Sequence, residues 1–351
     1  MGEILGLGVT HFPPLAGRDE DMGRILERVL EDPALPEQYR HPSGWPESMR
    51  QEYGNDHGAS AAARHREFLV AHFRKARRVL DEFKPDFVLL WGDDQYENFK
   101  EDVIPPFCLL AYESVAPRPW ADAPFVRANV WGEPKDTVVP LRGHRTAAKA
   151  LAEALLTEGF DVAYAYRPLH HELGHAFLNT VLFLDYDRRG FDHPLVPFQI
   201  NCYGRKVISQ YGGAMSLTEA PAGEQLDPPS PMPWRCFDLG AACARALARS
   251  PWRVALIASS SWSHAFLTPK NYFLYPDIPS DRALYEALRA ADYSTWRHTP
   301  LTAMEESGQQ EVLNWMCLVG AMAELGRKPT ETAWIETHIF NSNKCFAYFL
   351  P

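Results

Sequence analysis

Phe87-Val88-Leu89-Leu90-Trp91 is apolar at every position and stops abruptly at Gly92-Asp93-Asp94-Gln95. A strand with one solvated face alternates apolar and polar residues. An unbroken apolar run instead belongs to a strand covered on both faces, the usual state in parallel sheets. Comparable runs start near Ile4 and at Phe107, Phe160, Pro194 and Arg253, and the 334–349 stretch reads as one or two further strands. Helical stretches separate them. Residues 60–83 are apolar at 69, 70, 73, 76, 79, 80 and 83, with Ser60 as the expected N-cap and Lys84-Pro85 as the stop. Residues 145–157, 236–248, 280–291 (Ser280 as expected N-cap) and 311–325 have helical periodicity too. Strand, helix, strand in this order builds right-handed βαβ units. The fold expected is α/β: a single domain with a mostly parallel central sheet, flanked by helices and carrying long loop insertions.

No Gly/Ser linker or low-complexity break divides the 351 residues, so one catalytic domain over 1–351 is expected. Its main insertion spans about 15–58, with a helix at 21–30, and insertions of that length in compact domains are usually functional or disordered. The Pro- and Trp-rich residues 115–138 read as a lid or pocket loop, and 204–233 as a polar loop. A formal net charge of −10 argues against nucleic acid as a partner. No apolar run approaches the roughly 20 residues of a membrane span, so no membrane partner is expected. No basic region followed by an apolar stretch opens the chain, and the six cysteines form no CxxC pair. A cytoplasmic protein with reduced core thiols is the expectation.

In open α/β folds ligands bind at the carboxyl edge of the sheet. The first strand, Gly6-Leu7-Gly8-Val9-Thr10, ends at His11 and is closed by Phe12-Pro13-Pro14. A lone histidine there is most often a hydrogen-bonded turn residue. Here, however, separate strands deliver His11, the Asp93-Asp94-Gln95 cluster, His170/His171/His175 and His264 to what should be one edge. That recurrence points to a mononuclear metal or acid–base site. Glu311, opening a helix, is the carboxylate placed to complete it. His171-Glu172-Leu173-Gly174-His175 also matches the zinc-protease HExxH pattern literally. Gly174 inside the would-be helix speaks against that reading, and the helix is expected to begin after His175.

Thr10-His11-Phe12-Pro13, Asp94-Gln95, Gly143-His144, His171, Ser263-His264 and Glu311 with Trp315 and Gly320-Ala321 occur in order along nearly the whole chain. Together they resemble the class III extradiol ring-cleavage dioxygenases, nearest to the catalytic beta subunits of protocatechuate 4,5-dioxygenases. The resemblance implies a mononuclear Fe(II) site, with His11 and Glu311 as ligands and His264 as the acid–base histidine. It places His171 as a second catalytic pocket residue, and Asp94 and His175 in the second shell or against substrate. The partners implied are a small aromatic diol (or aminophenol) and O₂. Homo-oligomerisation, with a dimer as default, is expected only on general grounds.

One departure stands out. The family's second histidine ligand closes an Asn-Asp-His triplet, and here that triplet reads Asp93-Asp94-Gln95. Three readings stay open. His57, in its own Asn55-Asp56-His57 triplet, supplies the missing ligand; or Gln95 binds through its amide oxygen or cedes the place to water; or the metal is lost. The function expected is extradiol opening of a catechol-type ring. The alternatives are a metal-dependent hydrolase or lyase on the same scaffold and a non-catalytic relative.

Overall fold

The computed structural model of the chain describes residues 2–121, 126–209, 212 and 226–351. Of the loops expected over 115–138 and 204–233, residues 122–125, 210–211 and 213–225 lie outside the described residues. The strands are β1 (Ile4–Val9), β2 (Phe87–Asp93), β3 (Phe107–Leu110), β4 (Ser114–Val115), β5 (Leu141–Arg142), β6 (Ala163–Ala165), β7 (Leu195–Ile200), β8 (Val254–Ser259), β9 (Glu331–Ile335) and β10 (Lys344–Phe349). The helices are α1 (Arg24–Leu30), α2 (Glu47–Tyr53), α3 (Ala59–Phe83), α4 (Arg145–Thr157), α5 (His175–Leu184), α6 (Gly204–Ser209), α7 (Pro233–Ala248), α8 (Ile278–Arg289), α9 (Tyr293–His298), α10 (Leu301–Glu306) and α11 (Val312–Glu324). Among the described residues no helix is long and apolar enough to cross a membrane.

Eight strands form one sheet in the order β6-β3-β7-β2-β8-β1-β10-β9. Its centre is parallel, β7 with β2, β2 with β8 and β8 with β1, so the carboxyl ends of these four strands share one edge. The β3–β7, β1–β10 and β10–β9 pairings are antiparallel. The α/β architecture with a mostly parallel sheet is therefore as the apolar runs foretold.

Alternate residues of each central strand feed two cores, as the two-residue side-chain period requires. Phe87, Leu89, Trp91, Val254, Leu256 and Ala258 face the layer of α4, α7 and α11. Val88, Leu90, Leu5, Leu7, Val9 and Ile257 face the layer of α3 and α5. Two glycines let a helix press unusually close on each side. A Cβ on Gly8 would lie 2.2 Å from the Trp315 ring of α11, and one on Gly92 would lie 2.8 Å from the Phe177 ring of α5.

The insertion over 15–58 packs onto the second core rather than hanging free. It buries Leu15, Met22, Leu26, Leu35, Trp45 and Met49. Arg66 of α3 clasps it, donating to the carbonyls of Leu15 and Gly17 and to Asp19. Both expected serine caps are corrected by a carboxylate three or four residues earlier. Asp56 accepts from the Ser60 backbone N–H at 2.9 Å and from its hydroxyl, and Asp277 accepts from the Ser280 N–H at 3.3 Å. Aspartate caps at least as well as serine, so the upstream acid holds the first turn.

Candidate metal centre

Four parallel strand ends and two helix starts meet at one point of the carboxyl edge. His11 follows β1, Asp93 closes β2, Ser259 closes β8 and Tyr203 follows β7. Glu311 is the N-cap of α11, on one face of the sheet, and His175 is the first residue of α5, on the other. The close approaches at Gly8 and Gly92 bring these helix starts over the strand ends.

Ligand-capable atoms of His11, Asp93 and His175 lie within 4.8 Å of one another. His11 Nε2 is also 3.4 Å from Glu311 Oε2 and 3.8 Å from Asp93 Oδ1. The inward direction of each imidazole is set by what its other nitrogen touches. His11 Nδ1 is 3.1 Å from the Ser259 carbonyl oxygen, and His175 Nδ1 is 2.8 Å from Glu97 Oε2. This is the arrangement in which an outer hydrogen bond orients a metal-binding histidine.

The carboxylates are treated alike. Asn314 Nδ2 donates to Asp93 Oδ1 at 3.0 Å, and the Tyr203 hydroxyl donates to Glu311 Oε1. The remaining oxygens, Asp93 Oδ2 and Glu311 Oε2, are buried and have no hydrogen-bond partner among the described residues, although the Ser261 backbone amide favours the charged form of Glu311. An unpaired buried polar atom costs about 1–3 kcal/mol, and more when charged. Two of them beside free imidazole nitrogens are the signature of a place built for a cation. These residues fit a divalent metal ion: a mixed imidazole and carboxylate donor set with anchored outer partners.

The electrostatics agree. Burial pushes the Asp93 carboxyl up to about 6 and Glu311 well above the carboxylate range, the Asp93 charge adding to the latter. Burial holds His11 well below the usual imidazole value, as do the neighbouring His175 and His264. Burial also lowers His175, but the Glu97, Asp93 and Glu311 carboxylates outweigh it and raise that group to about 10. The buried acids around His175 thus favour its charged form.

His264 Nε2 is 3.3 Å from Glu311 Oε1, and its Nδ1 makes no hydrogen bond among the described residues. Burial lowers its pKa to about 3, the nearby Lys344 adding to the effect, so the ring is neutral at pH 7. The loop carrying it is clamped: the His264 N–H donates to the Gly308 carbonyl, and the Ser263 N–H donates to buried Asp281. Lys344 lies fully buried beside the site, 3.7 Å above the Phe12 ring and donating to the Phe340 carbonyl at 2.9 Å.

The structure thus brings together His11, Glu311, His264 and His175. It does not bring in the others. His57 is exposed in a left-handed turn before α3, its ring stacked on Tyr53 at 5.1 Å, so it points outward although its helix starts at the right edge. Gln95 turns away and donates to the Gly212 carbonyl at 2.7 Å. His171 is exposed, and its carbonyl accepts from Asn98 Nδ2. Asp94 is buried but accepts from the N–H groups of Glu97, Asn98 and Phe99, which makes it the staple of the turn after β2. Because α5 begins at His175, His171 and Glu172 lie outside the helix and the HExxH match has no shared helical face. The sequence places Asp93 at this edge with Asp94 and Gln95 but assigns it no ligand role, and it does not single out Tyr203, Asn314 or Glu97. The alternation of β2 could have found Asp93, since it falls on the same face as Leu89 and Trp91.

No family model matches the chain. Among curated proteins it is similar to the 2,3-dihydroxyphenylpropionate/2,3-dihydroxicinnamic acid 1,2-dioxygenase of Paraburkholderia phymatum, at 32% identity over 191 residues, 54% of this chain and 47% of the relative. It is 34% identical over 130 residues to a second such dioxygenase of Pseudomonas putida, covering 37% of this chain and 35% of the relative. With that of Comamonas testosteroni the likeness runs over a longer stretch: 25% over 263 residues, 74% of this chain and 64% of the relative. The chain spans about half the length, or less, of the first two. In its strand-end motifs and in these alignments alike, the chain is similar to ring-cleavage dioxygenases.

Proposed function

We propose that the protein is an iron(II)-dependent extradiol dioxygenase that opens a catechol-type or aminophenol-type ring with O₂. The observation that carries this reading is the convergence of two orphaned carboxylate oxygens with two imidazoles whose far nitrogens are already anchored. The names of the relatives point the same way, to ring-diol substrates with a carboxylated side chain.

His11 and Glu311 would hold the metal. A ferrous ion there would supply a single centre on which the diol and O₂ meet and exchange electrons. Tyr203 donates to Glu311 and fixes the orientation of that carboxylate. Neutral His264, beside Glu311, would accept a proton from a substrate hydroxyl at Nε2 and return it later in the cycle. The Asp281 clamp on Ser263 keeps that ring in place.

The test is anaerobic loading with ferrous iron followed by oxygen uptake against a panel of catechols and aminophenols. One O₂ consumed per ring opened at the bond beside the diol supports the reading. An iron-loaded protein that consumes no oxygen with any member of the panel overturns it.

A further inference from the structure

We infer that the metal in this chain is held by His11, Asp93, His175 and Glu311, so that Asp93, with His175, replaces the histidine absent from position 95. The inference rests on reading the site as a metal-dependent dioxygenase centre and concerns only which residues bind the ion.

Where the family triplet is Asn-Asp-His, this chain has Asp93-Asp94-Gln95. A histidine is lost at the third place and a carboxylate is gained at the first, two residues earlier. The gained carboxylate is the buried one: Asp93 is fully inaccessible, whereas Gln95 is half-buried and engaged with Gly212. Asp93 Oδ1 is held by Asn314 and lies 3.8 Å from His11 Nε2, while Oδ2 has no hydrogen-bond partner among the described residues. Glu311 repeats the pattern, with Tyr203 on Oε1 and no hydrogen-bond partner for Oε2 among the described residues.

His175 supplies the second imidazole. Its ring stands edge-on to His11 with centroids 5.3 Å apart, and the Glu97 contact at Nδ1 leaves Nε2 as its free nitrogen. Phe177, pressed into the space Gly92 leaves open, fixes the helix start that carries it. Two carboxylates and two imidazoles neutralise a dication and make a harder set than one carboxylate with two imidazoles. Such a set accepts manganous as well as ferrous ion.

The whole chain, stripped of metal, is titrated anaerobically with ferrous and, separately, manganous ion by calorimetry. Asp93→Asn preserves size and the Asn314 contact, and is expected to weaken binding of either ion by about 100-fold or more, beyond the range typical of an outer partner. Asn314→Ala, which removes only the partner, is expected to stay within about 10–100-fold. The double variant Asp93→Asn/Gln95→His restores the family triplet and is expected to regain affinity over Asp93→Asn alone. Electron–nuclear double resonance on the manganous wild type needs no variant: nitrogen couplings from two imidazoles are expected.

A folded Asp93→Asn protein that binds both ions within about threefold of wild type overturns the inference. So do couplings from a single imidazole. Metal binding through Asp93 without oxygen uptake on any diol would sink the activity reading and leave this one standing; oxygen uptake with Asp93 dispensable for binding would do the reverse.

Discussion

Gly8→Ala adds one methyl group in the middle of β1 and tests whether the glycine is what lets Glu311 reach His11. The backbone at Gly8 is ordinary extended strand, so alanine meets no conformational penalty there. Its Cβ, however, would lie 2.2, 2.4 and 2.8 Å from three atoms of the Trp315 ring. Carbon atoms rest at about 3.5–4.0 Å, so the worst overlap is about 1.3 Å, 3.5 less 2.2. The ring has nowhere to go. Trp315 is fully buried, packed edge-on against Trp262 at 5.4 Å, with Nε1 3.4 Å from the Ser260 carbonyl. Helix α11 must therefore shift outward by about an ångström. Overpacking of this kind costs about 1–3 kcal/mol, which for a chain this long lowers Tm by a few degrees. Glu311 lies one helical turn before Trp315, on the same side, and moves with it. Coordination distances tolerate only about 0.2 Å, so the metal affinity is expected to fall by tenfold or more as well. Calorimetric metal titration and thermal unfolding of the same samples read both effects. Trp315→Phe removes the clashing part of the ring, so the double variant should be better than the sum of the singles by about 0.5–3 kcal/mol. Unchanged affinity and Tm in Gly8→Ala, or strictly additive penalties in the double variant, would refute this account of how β1 and α11 assemble the site.

Two further outcomes follow from the same geometry. His264→Ala should lower kcat by about 10²–10⁴-fold while metal affinity stays near wild type, as shown by steady-state oxygen uptake beside calorimetry; loss of metal together with rate would make His264 part of the binding set instead. Burial holds the Lys344 pKa in the fold well below the usual lysine value, while the unfolded chain keeps it charged up to about pH 10.4. Between the lowered folded value and that limit the unfolded state binds the extra proton, so stability rises with pH. Denaturant unfolding of wild type should become more favourable to the fold as the pH rises toward about 10, and Lys344→Met should flatten that slope; parallel pH profiles would exclude a lowered Lys344 pKa.

Much of the fold was legible because burial on both faces leaves a blunt mark. Strands such as β2 and β8 are apolar up to the closing Asp93 and Ser259, and α3 repeats its apolar stripe over 25 residues. The short helices α9 and α10 carry too few turns for any period to show. The antiparallel seating of β10 against β1 is set by tertiary pairing rather than by either strand's own pattern. Caps were missed where an aspartate and a serine sit within one turn, since either can serve. At the site, His11, His264 and Glu311 were legible because each ends a strand or opens a helix at a known edge. His57 shows the limit of that logic: its helix begins at the correct edge, but a left-handed turn at His57 itself aims the ring at Tyr53 and solvent. Edge placement follows from topology, whereas side-chain direction follows from local dihedrals that no spacing records.

Direction is also what separates Asp93 from Asp94. Along β2 the side chains of 87, 89, 91 and 93 point toward the layer of α7 and α11, and those of 88 and 90, with the open face of Gly92, toward α3 and α5. Asp93 therefore projects to the side from which Glu311 descends, and its Oδ2 has no hydrogen-bond partner among the described residues. Asp94 falls in the turn beyond the strand, where three backbone N–H groups converge, and its charge is spent on holding that turn. Two adjacent, chemically identical residues thus acquire opposite employments from a half-period of pleat. A dication beside Asp93 would find an oxygen free, whereas one beside Asp94 would have to break the turn that sets the end of β2.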